Sequence, residues 1–123
     1  LAVAKTNDEG KWIFLGMLTF LDPPRPDTKK TIEAAISYGV QVKMITGDHL
    51  LIAVETARVL GMGSNVRSSV GLPLLDPVTK QKPENLGRNY GDMCLATDGF
   101  AQVFPEHKYL IVECLRELGY KVG

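Results

Sequence analysis

The sequence lacks an excess of charge, because 14 Lys and Arg residues balance 14 Asp and Glu residues over 123 positions. No run of five basic residues is present either, which disfavours nucleic acid as a partner. The longest mainly apolar stretch, 13–21, is about half of what a bilayer requires, so no segment is predicted to span a membrane. With 45% hydrophobic and 23% charged residues, one globular core is expected.

Cysteine and histidine are also scarce. Cys94 and Cys114 have neither a paired-thiol nor a metal-ligand spacing, so we interpret them as core or surface thiols of a reducing compartment. His49 and His107 are isolated, and we interpret them as helix-start or packing residues. No metal site is therefore predicted. The chain begins without Met and ends on "GYKVG", so we expect it to be a piece of a longer protein.

The apolar pattern of the first half predicts strands and helices in alternation. Strand-like runs at 1–5 and 11–21 flank the turn signal "TNDEG". The prolines of "DPPRP" then interrupt the chain before a helix that begins at Asp27 and ends at Gly39. A buried strand is predicted over 40–45, and a second helix follows it and ends at Gly61.

The second half contains a long segment without periodicity. Residues 64–92 are rich in Gly, Pro, Ser and Asn, which predicts a mobile surface excursion outside the core. A short helix, a short strand at 101–104 and a third helix from Pro105 are expected after it. Residues 120–122 would then start another strand. Strands alternating with helices indicate an α/β fold with a parallel sheet.

Thr46, Gly47 and Asp48 stand at the carboxyl end of the predicted strand 40–45. Ligands of open parallel sheets bind at this edge, where helix N-termini leave backbone N–H groups free. The Thr46 hydroxyl and the unhindered Gly47 N–H would form a small cradle for an anion. Asp48 would repel a phosphate, so we expect it to cap the second helix or to face a nucleotide.

Each of these motifs is weak when taken alone. "TGD" is most often a turn with a helix cap, "DPPR" is most often a rigid turn, and Lys108 is one helix-start lysine among many. "GMGSNV" at 61–66 is not a dinucleotide fingerprint, because it lacks the third glycine. A Gly-Lys-Ser/Thr phosphate loop and a "GxSxG" elbow are absent. The order of the three motifs along the chain is therefore more specific than any one of them.

That order resembles the phosphorylation domain of P-type cation-transporting ATPases. The matching stretches are "LDPPRPDTKKTIEAAISYGVQVKMITGDH", "ETARVLGMG" and "DGFAQVFPEHKYLIVECLRELG", and the last is most similar to plasma-membrane proton pumps. The resemblance implies an α/β fold of the haloacid dehalogenase-like, Rossmann type, with an incomplete parallel sheet flanked by helices. It also implies that 1–21 are strands leading from the nucleotide-binding domain. Residues 22–123 would be part of the phosphorylation domain, with the excursion at 64–92.

The resemblance implies a role for each candidate site residue. Thr46, Gly47 and Lys108 would be catalytic, since the first two would hold phosphoryl oxygens while the lysine neutralises charge. Asp22, Arg25 and Asp48 would face the nucleotide. The family's nucleophile motif "DKTGT" and magnesium motif "DGVND" do not occur here. ATP and Mg²⁺ are therefore expected as cofactors of the parent protein, and the isolated chain is expected to bind neither and to be inactive.

The parent implied by the resemblance is an ATP-driven proton pump that works through an aspartyl-phosphate. Its actuator, nucleotide-binding and transmembrane domains would be the partners of this chain, on the cytosolic face of a multi-pass plasma-membrane protein. Open strand edges permit a non-physiological dimer of the isolated chain. Three alternatives stay open: a soluble phosphatase of the same fold, another P-type ATPase such as a calcium pump, and a non-catalytic α/β binding module. No "DxDxT" motif supports the phosphatase.

Overall fold

The structure, a computed structural model, describes residues 1–20 and 22–123. Leu21, which ends the second predicted strand run and the predicted segment 1–21, lies outside the described residues. No helix in the described ranges is long and apolar enough to cross a membrane. The elements of this part of the chain are, in order, β1 (Ala2–Thr6), β2 (Trp12–Met17), α1 (Thr28–Ser37), β3 (Met44–Ile45), α2 (Leu50–Leu60), β4 (Val66–Ser68), α3 (Leu86–Ala96), β5 (Gly99–Ala101) and α4 (Pro105–Glu117).

The two predicted strand-like runs form an antiparallel hairpin of β1 and β2. The turn between them is closed by Asn7, whose Oδ1 accepts the N–H groups of Glu9 at 3.1 Å and Lys11 at 2.8 Å. Such local bonds from an Asn side chain are what favour this residue in turns. The hairpin forms a sheet of its own, separate from the second sheet.

The second sheet is parallel, with the strand order β3-β5-β4. Parallel neighbours require crossover connections, and here the helices supply them: α2 joins β3 to β4, and α3 joins β4 to β5. The strand that comes last in the sequence therefore lies in the middle, where all three of its residues are buried. The predicted α/β class, a parallel sheet flanked by helices, is confirmed.

The two faces of this sheet pack against different helices. Because neighbouring residues of a strand point to opposite faces, Phe100 and Ala101 of β5 enter different clusters. One cluster lies under α3 and α4 and contains Leu72, Leu86, Cys94, Phe100, Val103, Leu110, Ile111 and Cys114. The other lies under α2 and contains Ala53, Ala57, Val66 and Ala101.

Four predicted strands differ from the structure. Among the described residues the run 11–21 is limited to Trp12–Met17, and the strand predicted at 101–104 lies at Gly99–Ala101. The other two are shorter or absent. The strand predicted over 40–45 is limited to Met44 and Ile45, because these residues alone lie opposite β5, at Gly99 and Phe100. The outer edge of β3 has no paired strand among the described residues. Residues 120–122 have no strand neighbour either, and they are irregular instead of forming the predicted strand.

The predicted surface excursion at 64–92 is wrong as a description of most of this segment. It contains β4, which pairs with β5, and the first half of α3. Leu72 and Leu86 belong to the main core cluster. Only the middle part is an exposed loop, which is held to α4 by ion pairs from Lys82 to Glu113 at 2.9 Å and to Glu117 at 3.4 Å. The segment is therefore part of the fold and not an appendage.

Candidate functional site

Two loops meet at the carboxyl edge of the parallel sheet. The 46–48 loop follows β3, and the 102–104 loop follows β5 and leads into α4. The Val103 N–H donates to the Thr46 carbonyl oxygen at 3.1 Å, and the Gln102 N–H donates to the Asp48 carbonyl oxygen at 2.9 Å. Two main-chain hydrogen bonds therefore join the predicted phosphate segment to the segment that carries the predicted lysine. Parallel pairing of β3 and β5 is what places both loops at one edge.

Thr46 and Asp48 are joined through their side chains. The Thr46 hydroxyl donates to Asp48 Oδ2 at 2.9 Å, and its oxygen accepts the Asp48 N–H at 3.1 Å. This closed turn directs the Asp48 carboxylate towards Thr46, through Oδ2, and not towards the N–H groups of the helix. The cap of α2 is His49, whose Nδ1 accepts the Leu51 N–H at 3.4 Å. The expectation that Asp48 caps this helix is therefore wrong.

Gly47 is exposed between these two residues. Its φ is not in the left-handed region, and a Cβ added there would meet only the Val103 carbonyl oxygen, at an ordinary contact distance of 3.7 Å. Neither backbone conformation nor packing therefore requires glycine at position 47. The open space beside its backbone lies at the sheet edge where an anion was predicted.

Lys108 lies in α4, where its N–H donates to the Phe104 carbonyl oxygen at 3.3 Å. Its side chain is exposed, and its ammonium forms no ion pair within residues 1–20 and 22–123. The lysine is thus anchored by its main chain one helical turn beyond the 102–104 loop. Its charge is not neutralised by a carboxylate of the described chain.

Asp22 and Arg25 lie in the exposed, proline-rich segment before α1. The Arg25 Nε atom is 4.0 Å from Asp27 Oδ1, and its carbonyl oxygen accepts the Thr28 N–H at 3.0 Å. These contacts place Arg25 at the start of α1. Within residues 1–20 and 22–123, no hydrogen bond or ion pair joins Asp22 or Arg25 to the 46–48 loop. These two predicted residues are therefore not bonded to Thr46, Gly47 or Asp48.

A magnesium ion does not fit the residues present. Mg²⁺ prefers octahedral oxygen ligands that include carboxylates. The described ranges contain no cluster of three His, Cys, Asp or Glu side chains, and at the sheet edge the Asp48 carboxylate is bonded to a hydroxyl. Further ligands for such an ion would have to come from outside this chain.

A groove of about 530 Å³ runs along the outer edge of β3, with Ile45, Phe100 and Ile111 in its lining. Lys43 also lines it, and its Nζ donates to the carbonyl oxygens of Leu95 at 2.8 Å and Thr97 at 2.6 Å. Desolvation lowers the pKa of Lys43. Since these bonds satisfy the end of α3, the lysine has a structural role, and the groove lies beside the sheet and not at its carboxyl edge.

The sequence did not indicate that the main chain of Gln102 and Val103 belongs to the site. Backbone hydrogen bonds depend little on residue type, so they leave no motif. The available signal was topological: a parallel strand ending near position 101 would bring the following loop beside the 46–48 loop. Buried His107 was interpreted as a helix-start residue, and its position in the first turn of α4 confirms that interpretation.

Fold and site thus define a parallel α/β domain with a small polar cradle at the carboxyl edge of its sheet. No family model matches the chain. The chain is 58% identical over 120 residues to the probable proton ATPase 1A of Leishmania donovani, covering 98% of this chain and 12% of that protein. It is 45% identical over its whole length to plasma membrane ATPase 2 of Schizosaccharomyces pombe, covering 12% of that protein, and 43% identical to the plasma membrane ATPase of Neurospora crassa, covering 13%.

The chain is therefore homologous, over its whole length, to one segment of the plasma-membrane proton ATPases. This result confirms the resemblance to P-type proton pumps that the motif order indicated. The chain spans about an eighth of the length of these relatives.

Proposed function

We propose that the chain is part of the cytosolic phosphorylation domain of an ATP-driven proton pump. The proposal is supported by sequence identities of 58% to a probable proton ATPase over 98% of the chain and of 45% to a plasma membrane ATPase over its whole length. The structural observation that carries it is the pair of hydrogen bonds between the 46–48 loop and the 102–104 loop. They hold an open glycine backbone and the start of a lysine-bearing helix at one edge of the sheet.

Each group has a distinct part in holding a phosphoryl group. The N-terminus of α2 offers positive partial charge near the 46–48 loop, and Gly47 leaves space for an oxyanion to approach the backbone. Lys108 supplies a full positive charge from the neighbouring helix. The Thr46 hydroxyl donates its one proton to Asp48 Oδ2 in this structure, so it would have to turn away from Asp48 to hold a phosphoryl oxygen. Phosphoryl transfer depends mainly on positioning and on charge stabilisation, and these are the properties that this edge offers.

The cofactors of the whole protein would be ATP and Mg²⁺. The nucleophilic aspartate and the magnesium ligands would come from other parts of the parent, since neither motif occurs in this chain. Actuator, nucleotide-binding and transmembrane domains of a multi-pass protein would complete it. Support for such partners is the small share, 12%, that the chain occupies in the Leishmania donovani relative.

The division of the chain at position 21 is also part of the proposal. The hairpin would lead from the nucleotide-binding domain, and 22–123 would belong to the phosphorylation domain. On β2, the adjacent residues Trp12, Ile13, Phe14 and Leu15 are all exposed, so both faces of the strand are apolar and uncovered. An apolar strand exposed on both faces is expected to be covered by another part of the protein.

Asp22, Arg25 and Asp48 would contact the nucleotide from the side of the neighbouring domain. Three prolines stiffen the segment that contains the first two, so it would act as a rigid link between the domains. One relative is named a probable proton ATPase and two are named plasma membrane ATPases, and these names give no support to the soluble phosphatase or to a calcium pump.

The experiment that tests the proposal is Lys108→Ala in the full-length protein. We expect phosphoenzyme formation from labelled ATP to slow by about a hundredfold or more, the usual loss when a preorganised charge is removed from a reaction centre. Lys29→Ala, which removes an exposed lysine of α1, is the matched control and should leave the rate unchanged. Equal rates for both variants would contradict the role of Lys108.

A further inference from the structure

His107 is one of two buried polar side chains in the described part of the chain, and it is only 4% exposed. Its Nδ1 accepts the N–H of Phe104 at 3.0 Å. An imidazole nitrogen can accept a hydrogen bond only through its lone pair, so Nδ1 carries no proton and the ring is the neutral Nε2–H tautomer. The Phe104 ring lies beside it, with 5.7 Å between the ring centroids.

This bond acts on the residue that links the two halves of the site. Phe104 immediately follows Val103, which donates to Thr46, and its carbonyl oxygen accepts the N–H groups of His107 at 3.0 Å and Lys108 at 3.3 Å. The first turn of α4 is thereby closed on Phe104 from both its N–H and its carbonyl sides. The direction in which α4 leaves the 102–104 loop depends on this closure.

The loop itself needs such closure, because it contains a residue in an unfavourable conformation. Gln102 has a φ of 55°, in the left-handed region that costs a non-glycine residue roughly 1–2 kcal/mol. Strained residues persist only where their surroundings hold them in place. Here the Gln102 N–H bond to Asp48 is one constraint, and the His107–Phe104 bond holds the other end of the loop.

We propose that His107 is a positioning residue for Lys108. By fixing Phe104 at the start of α4, neutral His107 sets the place of the lysine relative to Thr46 and Gly47 without contacting the phosphoryl group itself. The inference rests on the proposed role of Lys108 in phosphoryl transfer. The hydrogen bond on which it depends can be tested separately from that role.

The first test is NMR on the 123-residue chain. We expect Nδ1 of His107 to show the 15N shift of an unprotonated ring nitrogen and the Phe104 amide to be protected from hydrogen exchange. His107→Gln keeps an acceptor at the third position of the helix, as in a capping box, whereas His107→Leu keeps an apolar side chain of similar reach without an acceptor. Exchange of the Phe104 amide should accelerate about five- to tenfold in the Leu variant and much less in the Gln variant.

The Ala53 amide in α2 donates to the carbonyl oxygen of His49 at 3.0 Å and serves as the control for global stability. Its exchange should be the same in both variants. A protonated Nδ1 or an unprotected Phe104 amide in the unaltered chain would overturn the inference, and this measurement does not require any variant to fold.

The second test measures phosphoenzyme formation in the full-length protein. We expect His107→Leu to slow it about tenfold, His107→Gln to restore most of the rate, and His107→Leu to have little further effect when Lys108→Ala is present. If Lys108→Ala alone has no effect, the proposed function fails while the NMR result stands. If Lys108→Ala slows the reaction but His107→Leu adds its full effect to it, or His107→Gln gives no rescue, the positioning role is overturned.

Discussion

At the scale of single residues, the glycines of this chain differ in whether the fold requires them, and in the physical reason. Gly99 is required by packing, because a Cβ there would overlap the Met44 carbonyl oxygen on the neighbouring strand. Gly61 is required by conformation, because it ends α2 with a left-handed φ of 73°. Gly47 has neither constraint. A glycine that the fold does not need points to something that approaches its backbone from outside.

Gly47→Ala should therefore separate function from stability. We expect the free energy of unfolding of the chain to change by less than about 0.5 kcal/mol, since the new methyl group meets no obstacle. In the full-length protein, inhibition by a phosphate analogue such as vanadate should weaken, because the methyl group occupies the space for the oxyanion. Gly61→Ala is the comparison and should lose about 1 kcal/mol through backbone strain. Equal destabilisation by both changes would make Gly47 a structural residue.

The two thiols are predicted to be unreactive in the folded chain. Burial, with a contribution from neighbouring Cys114, raises the pKa of Cys94 to about 12 from its ordinary value of 9.0, and burial also raises the pKa of Cys114. At a given pH near 8 the thiolate fraction of Cys94 falls about a thousandfold. Iodoacetamide should modify neither thiol until urea unfolds the chain, while an exposed thiol introduced by Val78→Cys should react at once. Rapid labelling of Cys94 in the folded chain would contradict its burial.

The raised pKa of Cys94 also makes the free energy of unfolding depend on pH. The folded pKa lies above the unfolded one, so the folded chain binds more protons between pH 9 and 12. The contribution of Cys94 is fully present below pH 9 and is lost as the pH rises towards 12.

At the scale of elements, the helices with clear apolar periodicity and with proline or glycine at their ends were predicted well. α1, α2 and α4 all lie where the pattern placed them. β4 was missed because three residues are too few to show a period. The short helix expected after residue 92 is the end of α3, and the part of α3 within 86–92 was missed because its inward face contains Gly87 and Gly91, which were interpreted as loop residues. In the structure both glycines are buried and face the Leu118 side chain.

The site was predictable to a similar degree. Parallel topology was enough to expect that the loop containing Thr46 and the loop leading into the helix of Lys108 meet at one sheet edge, whereas the roles of these two residues came from the resemblance. The residue that caps α2 was not predictable from the sequence. Asp48 and His49 are adjacent at the helix start, and small differences in geometry decide which of their side chains accepts a helix N–H group. The Asp48 carboxylate bonds to the Thr46 hydroxyl, and the cap passes to His49.

Because α3 is part of the core, shortening a buried side chain of this helix should destabilise the whole chain. Leu86 is completely buried at the start of α3, whereas Leu74 in the preceding loop is 55% exposed. We expect Leu86→Ala to lower the free energy of unfolding by about 2–5 kcal/mol and Leu74→Ala to lower it by less than about 0.5 kcal/mol. Urea titrations followed by circular dichroism measure both. Similar midpoints for the two variants would restore the interpretation of 64–92 as a surface excursion.

At the scale of the whole molecule, the described residues leave two strand surfaces uncovered. One is the outer edge of β3 with the groove beside it. The other is the hairpin, where Trp12 and Phe14 are 75% and 64% exposed. Exposed apolar strands and unpaired strand edges favour association with another chain. In the full-length protein, under the proposed function, neighbouring domains would cover both surfaces.

The isolated chain, without those domains, is therefore expected to associate with itself. Sedimentation equilibrium should show a mass that rises with concentration over the micromolar to millimolar range, and Trp12 fluorescence should shift to shorter wavelength as the indole is covered. Phe14→Lys places a charge on the apolar strand and should weaken association. Val78→Lys, at an exposed residue of the loop between β4 and α3, is the matched control and should not weaken association. A monomer at every concentration, with unshifted Trp12 emission, would show that an exposed apolar hairpin is not sufficient for self-association of this chain.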